Sequence, residues 1–200
     1  MTTLILGTGG FAIELCALVR AAGGDVAGFI GPQRVDDLPA AYLGEDSILE
    51  SAVPDASILV AVGEPGMRER LSGMVRAKGR RLATFISPNA FVADDATVGE
   101  GAMIYPNATV HARVRLEAGV LINSNASVGH ETSIGAFANV GPGVSVGGRC
   151  VIGAASYLGI GCSVLEQLTI VPGTAIGAGA VVIRDIVLAG TYAGVPAKLL

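Results

Sequence analysis

The stretch Val128-Gly129-His130-Glu131-Thr132-Ser133-Ile134-Gly135 decides the fold, because it belongs to a run of six-residue repeats. Counted in sixes from Ile86 to Val182, all seventeen positions are aliphatic and no insertion interrupts the run. Neither a helix nor an ordinary strand repeats every six residues. This repeat is typical of a parallel β-helix, in which three units form one coil and residues eighteen apart stack about 4.8 Å from each other. We expect between five and six coils.

The residue two positions before each aliphatic one is usually small, which predicts a narrow interior. It is alanine, serine or cysteine at Ala90, Ala96, Ala102, Ala108, Ala126, Ala138, Cys150, Ser156, Cys162 and Ala180. Cys150 and Cys162 are therefore predicted to be core residues. With Cys16 they are odd in number and lack the spacing of a metal site, which favours reduced thiols in a cytoplasmic protein.

Charge and hydropathy exclude several classes of partner. The formal net charge is −4, so neither nucleic acid nor an anionic membrane is expected as the main partner. No run approaches the roughly 18 apolar residues of a membrane span, and the N-terminus shows no basic region followed by an apolar segment. We expect a cytoplasmic protein.

The segment before the repeats has the pattern of a small α/β domain, which we place at residues 1–83. Leu4–Leu6 is a short apolar strand that a glycine turn, Gly7–Gly10, connects to a helical pattern. Val26–Ile30 and Ile58–Val62 are further runs of the kind that forms buried strands. Strand, turn, helix and strand form a βαβ unit, so we expect a small parallel sheet of Rossmann-like type.

The glycine turn fits a phosphate-binding fingerprint. Gly7-Thr8-Gly9-Gly10-Phe11-Ala12 matches G-x-G-x-x-A, in which glycines let the backbone approach a phosphate at a helix N-terminus. Two observations argue against a full dinucleotide site: the second strand ends in Gly31-Pro32 without an acid for a ribose hydroxyl, and the segment is too short for two mononucleotide halves. A site for a nucleoside diphosphate is favoured, and a purely structural turn is the alternative.

Stacking by eighteen also predicts a corner of the coil. One column consists of Asn89, Asn107, Asn125, Gly143, Gly161 and Gly179. Asparagine and glycine are the residues that tolerate a left-handed backbone, so this column is interpreted as a corner. A functional asparagine ladder is the alternative.

His130 is the most conspicuous chemically active residue in the repeats. Its stacked neighbours, Ala112 and Gly148, are small, so open space is expected above and below the imidazole. His111, the other histidine of the chain, either lines the same surface or is an exposed turn residue, and the second interpretation is favoured. Two histidines do not supply a three-histidine zinc site, so no metal is expected.

Glu131 stacks between two arginines, Arg113 and Arg149, one coil below and one coil above. Such a ladder is often no more than a solvated, neutralising face. Here it also predicts that Glu131 stays ionised beside His130.

Taken together, these motifs resemble the sugar O- and N-acyltransferases of the sialic-acid O-acetyltransferase type, which include nucleotide-sugar N-acetyltransferases. The resemblance covers essentially the whole chain. It is carried by the opening Leu4–Ala12, the segment His130–Gly135 and the tail Gly194-Val195-Pro196-Ala197-Lys198. It implies a left-handed parallel β-helix over residues 84–184, a C-terminal tail over 185–200, and a homotrimer with active sites between neighbouring chains.

The resemblance also implies a direct transfer from acetyl-CoA. His130 would be the general base that deprotonates the acceptor, and Glu131 would raise its basicity; imidazole suits proton transfer near neutral pH. No activated cysteine or serine accompanies His130, so no covalent enzyme intermediate is expected.

Binding residues follow from the same resemblance. The coenzyme contacts are expected at Asn139, Gly148, Ile160 and Ala178. The nucleotide-sugar contacts are expected at Gly9, Gly10, Phe11 and Gly63.

Three positions depart from the family pattern. Asn139 replaces a histidine that contacts the coenzyme, Phe11 replaces a histidine of the glycine turn, and Gly31-Pro32 replaces an acidic pair after the second strand. These departures leave the nucleotide and the acceptor sugar open.

We therefore predict an acetyl-CoA-dependent acetyltransferase that acts on an amino-sugar, linked to a nucleotide, in surface-glycan synthesis. N-acetylation is favoured over O-acetylation. The alternatives are a sugar O-acetyltransferase of the sialic-acid type, an acetyltransferase for a free amino acid or an antibiotic, and a non-catalytic nucleotide-sugar-binding scaffold.

Overall fold

The protein is described here by a computed structural model that covers residues 2–200. The chain divides into two compact units, an N-terminal unit up to Ser87 and a C-terminal unit over Pro88–Leu200. In residues 2–200 neither helix is long and apolar enough to cross a membrane.

The N-terminal unit is an α/β layer structure. Its elements are, in chain order, β1 (Thr2–Leu6), α1 (Gly10–Ala21), β2 (Asp25–Ile30), β3 (Tyr42–Gly44), a 3-10 helix (Asp46–Glu50), β4 (Ser57–Val60), α2 (Pro65–Ala77) and β5 (Phe85–Ile86). The sheet is parallel, with the strand order β3-β2-β1-β4. Its core consists of aliphatic side chains from these strands and α2, among them Leu4, Ile58 and Val75.

Local sequence explains both ends of α1 and the start of α2. α1 starts at Gly10, directly after the extended Gly9, and ends before Gly23, whose φ of +79° leaves the helical region. α2 starts at Pro65, and the Glu64 side chain caps it by accepting hydrogen bonds from the Gly66 amide at 2.8 Å and from the Met67 amide at 2.5 Å.

The sheet has one strand more than the sequence predicted. β3 contains only three half-buried residues and carries no alternating pattern, so nothing in the sequence marks it. It pairs with the end of β2, and the Gly31 amide donates to the Gly44 carbonyl at 3.1 Å. The apolar run Leu82–Ile86 also predicts a strand before the repeats, but β5 covers only its last two residues, and Leu82 forms only an isolated bridge with Ile58.

The C-terminal unit is a parallel β-helix with three faces. One face contains β7 (Thr97–Val98), β10 (Arg115–Leu116), β13 (Ser133–Ile134), β16 (Val151–Ile152) and β19 (Thr169–Ile170). The second contains β6 (Phe91–Val92), β9 (Thr109–Val110), β12 (Ser127–Val128), β15 (Ser145–Val146), β18 (Ser163–Val164) and β21 (Val181–Val182). The third contains β8 (Met103–Ile104), β11 (Leu121–Ile122), β14 (Asn139–Val140), β17 (Tyr157–Leu158), β20 (Ala175–Ile176), β22 (Thr191–Ala193) and β23 (Lys198–Leu199).

Strands eighteen residues apart pair in parallel, as the repeat predicts: Val128 pairs with Val110 on one side and with Val146 on the other. The aliphatic positions from Ile104 to Val182 are all buried, and so are the small residues two positions before most of them. Val92 and Val98 pack against this core only in part. Ile86, the first position of the count, is 44% exposed and does not face the interior.

From Gly101 to Gly179 every sixth residue has a left-handed backbone, so such residues occupy all three corners of the coils in this range. Asn107, Asn125, Gly143, Gly161 and Gly179 have φ between 59° and 66°, which confirms the predicted corner from Asn107 onward, although Asn89 is not left-handed. The other two corners carry no unbroken pattern of asparagine and glycine that would predict them. They hold Arg113, Glu131, Arg149 and Gln167 in one column, and Gly101, Gly119, Phe137, Ala155 and Gly173 in the other.

Candidate active site

His130 and Glu131 lie on the corner between β12 and β13, which we call the Glu131 corner. The Glu131 amide donates to the Ala112 carbonyl at 2.9 Å, and the Arg149 amide donates to the His130 carbonyl at 2.8 Å. These bonds tie the corner to the coils on either side of it. Both side chains point outward: that of His130 is 54% exposed and that of Glu131 is 39% exposed.

Thr132 anchors the same corner from inside the coil. Its side chain is fully buried. The hydroxyl donates to the Gly147 carbonyl at 2.9 Å and accepts from the Cys150 amide at 3.1 Å. A buried hydroxyl with both bonds made is costly to disturb, so the backbone under His130 is held in one conformation. Nothing in the six-residue pattern marked Thr132.

The Glu131 carboxylate is held by the arginine one coil above it. Arg149 Nε lies 3.1 Å from Glu131 Oε2, Arg113 Nη1 lies 3.9 Å from Oε1, and His130 Nδ1 lies 3.6 Å from Oε1. The hydrogen bond from Arg149, together with the charges of Arg149, His130 and Arg113, lowers the pKa of Glu131 below its ordinary value. The carboxylate is therefore ionised beside the imidazole at neutral pH, as the stacked arginines predicted.

The His130 ring lies directly over Gly148. A Cβ atom placed on Gly148 would be 2.7 Å from His130 Nε2 and 2.9 Å from Cε1. The prediction of open space above the ring is therefore wrong, because the ring itself fills the space that glycine leaves. Gly148 is needed so that the imidazole can fold back along the coil with Nδ1 toward Glu131 and Nε2 over the glycine.

His111 lies one coil below, where its amide donates to the Val128 carbonyl at 3.1 Å. It is exposed, and its ring centroid is 6.5 Å from that of Phe91. It fits the interpretation as an exposed turn residue.

The four residues predicted to contact a coenzyme lie at different places on the β-helix. Gly148 is one coil above the Glu131 corner, against the His130 ring. Ile160 and Ala178 are stacked on the corner between the third and second faces, and Ile160 is 60% exposed. Asn139 is buried in β14, where it pairs with Leu121 and Tyr157. One chain thus presents a histidine corner and a separate corner of exposed small and apolar residues.

The four residues predicted to contact a nucleotide sugar line one cavity in the N-terminal unit. The cavity has a volume of about 500 Å³ and contains Gly9, Gly10, Phe11 and Gly63 in its wall. Cβ atoms placed on Gly9, Gly10 or Gly63 would meet no atom within 4 Å, so all three glycines face open space. The end of β2, at Gly31, lines the same cavity.

Buried Arg68 shapes one wall of this cavity. Its side chain is 1% exposed, and Nη1 donates to the carbonyls of Val62 at 2.9 Å and Gly63 at 3.0 Å. Burial lowers the pKa of Arg68 to about 10, and the charge of Glu64 partly opposes that shift. The guanidinium remains charged at neutral pH and holds the turn after β4 in place.

Two charged residues of the cavity were missed by the sequence analysis. Asp46 and Arg70 are the acidic and the basic residue among those that line it. Asp46 follows β3, and Arg70 lies on α2, far from the glycine turn in sequence. No local motif connects either residue to Gly7–Gly10, so only the fold reveals that they share a cavity.

Two other kinds of site that residues 2–200 could hold are a metal centre and an activated thiol. Residues 2–200 contain no group of three histidine, cysteine, aspartate or glutamate side chains arranged to hold a metal ion. Cys16, Cys150 and Cys162 are buried free thiols, and burial raises the pKa of each, that of Cys162 to about 12. A thiol with a raised pKa is a poor nucleophile.

No model of a protein family and no curated protein sequence matches the chain. Solved structures do. The acetyltransferase domain of PglB from Neisseria gonorrhoeae is 32% identical over 100% of this chain and 99% of that domain, with a TM-score of 0.93. The same domain has been solved in complex with acetyl coenzyme A.

A second similar structure is PerB from Caulobacter crescentus in complex with CoA and GDP-perosamine. It is 30% identical over 99% of this chain and 96% of that chain, with a TM-score of 0.94. A variant of this perosamine N-acetyltransferase with one histidine replaced by asparagine was solved with the same two ligands. WeeI from Acinetobacter baumannii is 22% identical with a TM-score of 0.88, which shows the fold alone.

A β-helix of six-residue repeats, so similar over its whole length to these enzymes, makes the protein an acetyltransferase. Within that class, the chain belongs to the hexapeptide-repeat sugar N-acetyltransferases.

Proposed function

We propose that the protein transfers an acetyl group from acetyl-CoA to the amine of a nucleotide-linked amino-sugar, with His130 as the general base. The observation that carries this proposal is the exposed His130 imidazole, held over Gly148 and beside an ionised Glu131. The same activity, on GDP-perosamine and with CoA, is named for the similar Caulobacter enzyme. Surface-glycan synthesis in the cytoplasm is the setting that we propose for it.

The geometry suits a single direct transfer. The amine nitrogen attacks the carbonyl carbon of the thioester while its proton passes to the His130 imidazole. The C–S bond then breaks, and the sulfur leaves as the CoA thiol with the proton that the His130 imidazolium returns. Nδ1 faces Glu131 at 3.6 Å, so Nε2 is the nitrogen that accepts the proton from the amine. The carboxylate stabilises the imidazolium that forms.

The coenzyme is proposed to lie along stacked coils of neighbouring chains. Gly148 lies against the His130 ring, whereas Ile160 and Ala178 lie on another corner of the same β-helix. A homotrimer of left-handed β-helices would bring the histidine corner of one chain next to the Ile160 corner of the next. Asn139, buried in β14, would contribute through the amide that replaces the histidine of the family pattern.

The nucleotide is proposed to occupy the cavity of the N-terminal unit. Its diphosphate would meet the backbone at Gly9 and Gly10, where α1 begins, with Arg70 as a nearby cation. Phe11 and Gly63 would form the walls. Because glycine has no side chain, phosphate oxygens can reach the backbone amides there.

Turnover with variants of the two histidines tests the proposal. The protein is incubated with acetyl-CoA and GDP-, UDP- or dTDP-linked amino-sugars while thiol release is followed. We expect His130→Ala and His130→Asn to lower kcat by about 10²- to 10⁴-fold, the usual contribution of a general base. His111→Ala is the matched control and should leave kcat unchanged. Gly148→Ala should also lower kcat, because the new methyl group displaces Nε2.

Other outcomes would assign the protein differently. A product that hydroxylamine cleaves would be an ester and would indicate O-acetylation. No turnover on any acceptor, with ligand binding unaffected by His130→Ala, would favour a non-catalytic scaffold. A monomeric mass in sedimentation would contradict the arrangement between chains.

A further inference from the structure

Asp46 is an acidic residue that the fold, not the local sequence, brings to the nucleotide cavity. The second strand of a dinucleotide-binding fold commonly ends near an acid that binds a ribose hydroxyl. Here β2 is followed by Gly31-Pro32, and both residues line the cavity without offering a carboxylate. Asp46, two residues after β3, is the acid that lines the same cavity.

Specific contacts keep the segment around Asp46 beside β2. Ile30 pairs with Gly44, and the Gly31 amide donates to the Gly44 carbonyl at 3.1 Å. The Tyr42 hydroxyl donates to the Gly31 carbonyl at 2.9 Å. Because β2 and β3 are parallel, both chain ends leave at the same edge of the sheet, and Asp46 starts the 3-10 helix at that edge.

The strand order places Asp46 too far out for the usual ribose contact. Phosphate is expected at the turn after β1, and the order β3-β2-β1-β4 places β3 two strands away from β1. Neighbouring strands are about 4.8 Å apart, so the end of β3 lies about 10 Å from that turn, twice as far as the end of β2. In a nucleotide that extends from the turn toward β3, the ribose follows the phosphate and the base comes last.

We propose that Asp46 contacts the base of the nucleotide and selects guanine. This inference rests on the proposed function and specifies the substrate class of that site. A carboxylate accepts hydrogen bonds and donates none. Guanine presents two adjacent N–H donors, at N1 and at the 2-amino group, which a carboxylate meets with both oxygens. Uracil and thymine present a single N–H between two carbonyl oxygens, which repel a carboxylate.

The structure also makes Asp46 available for this contact. Among residues 2–200 no hydrogen bond or ion pair engages its side chain, and the residue is half-buried at the cavity wall. On the side of the cavity formed by Gly9 and Gly10, no side chain blocks the backbone amides, so the diphosphate of the ligand can bind them. The two ends of the cavity would thus hold the diphosphate and the base separately.

Calorimetric titration of the full-length protein with four diphosphates tests the inference. GDP, inosine diphosphate, 2′-deoxy-GDP and UDP are compared on the wild type, on Asp46→Asn and on Glu45→Gln. Inosine diphosphate lacks only the 2-amino group, so we expect it to bind about tenfold more weakly than GDP, and UDP more weakly still. Deoxy-GDP should bind like GDP. Asp46→Asn should weaken the binding of GDP at least tenfold and remove the difference in affinity between GDP and inosine diphosphate.

Glu45→Gln removes the same charge one residue away, at a side chain that does not line the cavity, and should change no affinity. If Asp46→Asn weakened the binding of all four ligands equally, or if the wild type bound deoxy-GDP much more weakly than GDP, Asp46 would be assigned to the ribose and the inference would be overturned. An unchanged affinity for GDP in Asp46→Asn, or a wild type that prefers UDP, would overturn it as well. If no diphosphate binds the wild type, the nucleotide site of the proposed function fails with it, whereas the chemistry of His130 is tested separately by turnover.

Discussion

Glu131, the residue that follows His130, adopts a left-handed backbone conformation with φ of 61°. This conformation costs about 1–2 kcal/mol for a residue other than glycine. The backbone bonds that link His130 and Glu131 to the adjacent coils, and the two bonds of Thr132, stabilise the corner against that cost. The result is that an exposed imidazole, which free in solution would sample many directions, projects from a rigid turn beside one carboxylate.

The pKa of Glu131 leads to a prediction about pH. Because the Arg149 hydrogen bond and the neighbouring charges lower this pKa on folding, the stabilisation is fully present above the pKa of the unfolded chain, about 4.3. It is lost as the pH falls through the lower folded value. We expect the difference in thermal midpoint between wild type and Glu131→Gln to shrink as the pH falls below the pKa of the unfolded chain. A difference that stays the same as the pH is lowered further would show that the ion pair is not its cause.

At the scale of an element, the turn between β1 and α1 uses its glycines for two different purposes. Gly7 has φ of +133°, and a Cβ atom there would lie 2.7 Å from the Ala61 carbonyl oxygen. Gly10 is the first residue of α1, and a Cβ atom there would meet no protein atom within 4 Å. Gly7 is therefore required by the fold, whereas Gly10 keeps the cavity open.

Alanine substitutions at these two glycines should separate stability from binding. Gly7→Ala should lower the free energy of unfolding by about 1–3 kcal/mol, because it introduces strain and a backbone clash. Gly10→Ala should raise it by about 0.4–1 kcal/mol, because alanine restricts the unfolded chain more than glycine does, while it weakens binding of a nucleoside diphosphate. Urea unfolding and calorimetric titration measure the two effects. Equal destabilisation by both substitutions would contradict this division of roles.

At the scale of the whole molecule, each unit has a core of its own, and the cysteines belong to these cores rather than to a site. Cys16 is buried on α1, and Cys150 and Cys162 occupy small interior positions of the β-helix. Cys150 Sγ contacts the Leu165 carbonyl at 3.1 Å, inside the coil. No cysteine in the chain is thus placed to attack a thioester.

The native protein should therefore carry no reactive thiol. Burial raises the pKa of all three cysteines, that of Cys162 to about 12, so little thiolate is present at pH 8. We expect DTNB to label no cysteine of the folded protein within minutes and to label all three after unfolding in guanidinium chloride. Rapid labelling of one thiol in the folded state would mean that its region opens, and it would also interfere with thiol-release assays of turnover.

The sequence by itself determined the β-helix and the contacts around His130 and Glu131. A six-residue repeat fixes which residues stack, and hydrogen bonding between coils fixes how far apart they are. The neighbours of Glu131, namely Arg113 and Arg149, could therefore be named from the sequence, and so could the buried aliphatic positions from Ile104 onward. The same regularity explains the error at Gly148: a repeat tells which residues are neighbours but not which rotamer a side chain takes.

Only the tertiary structure decided which residues line the cavity of the N-terminal unit. The glycine turn, Gly31, Asp46 and Arg70 are separated by long stretches of sequence, and their convergence depends on the pairing of β2 with β3 and on the position of α2. The three residues of β3 carry no periodic pattern. The sequence therefore did not indicate that Asp46, which follows this strand, lies at the cavity. In a repeat, residues at a fixed sequence spacing are in contact. In an α/β sheet, the contacts depend on the strand order, which cannot be predicted from a local sequence pattern.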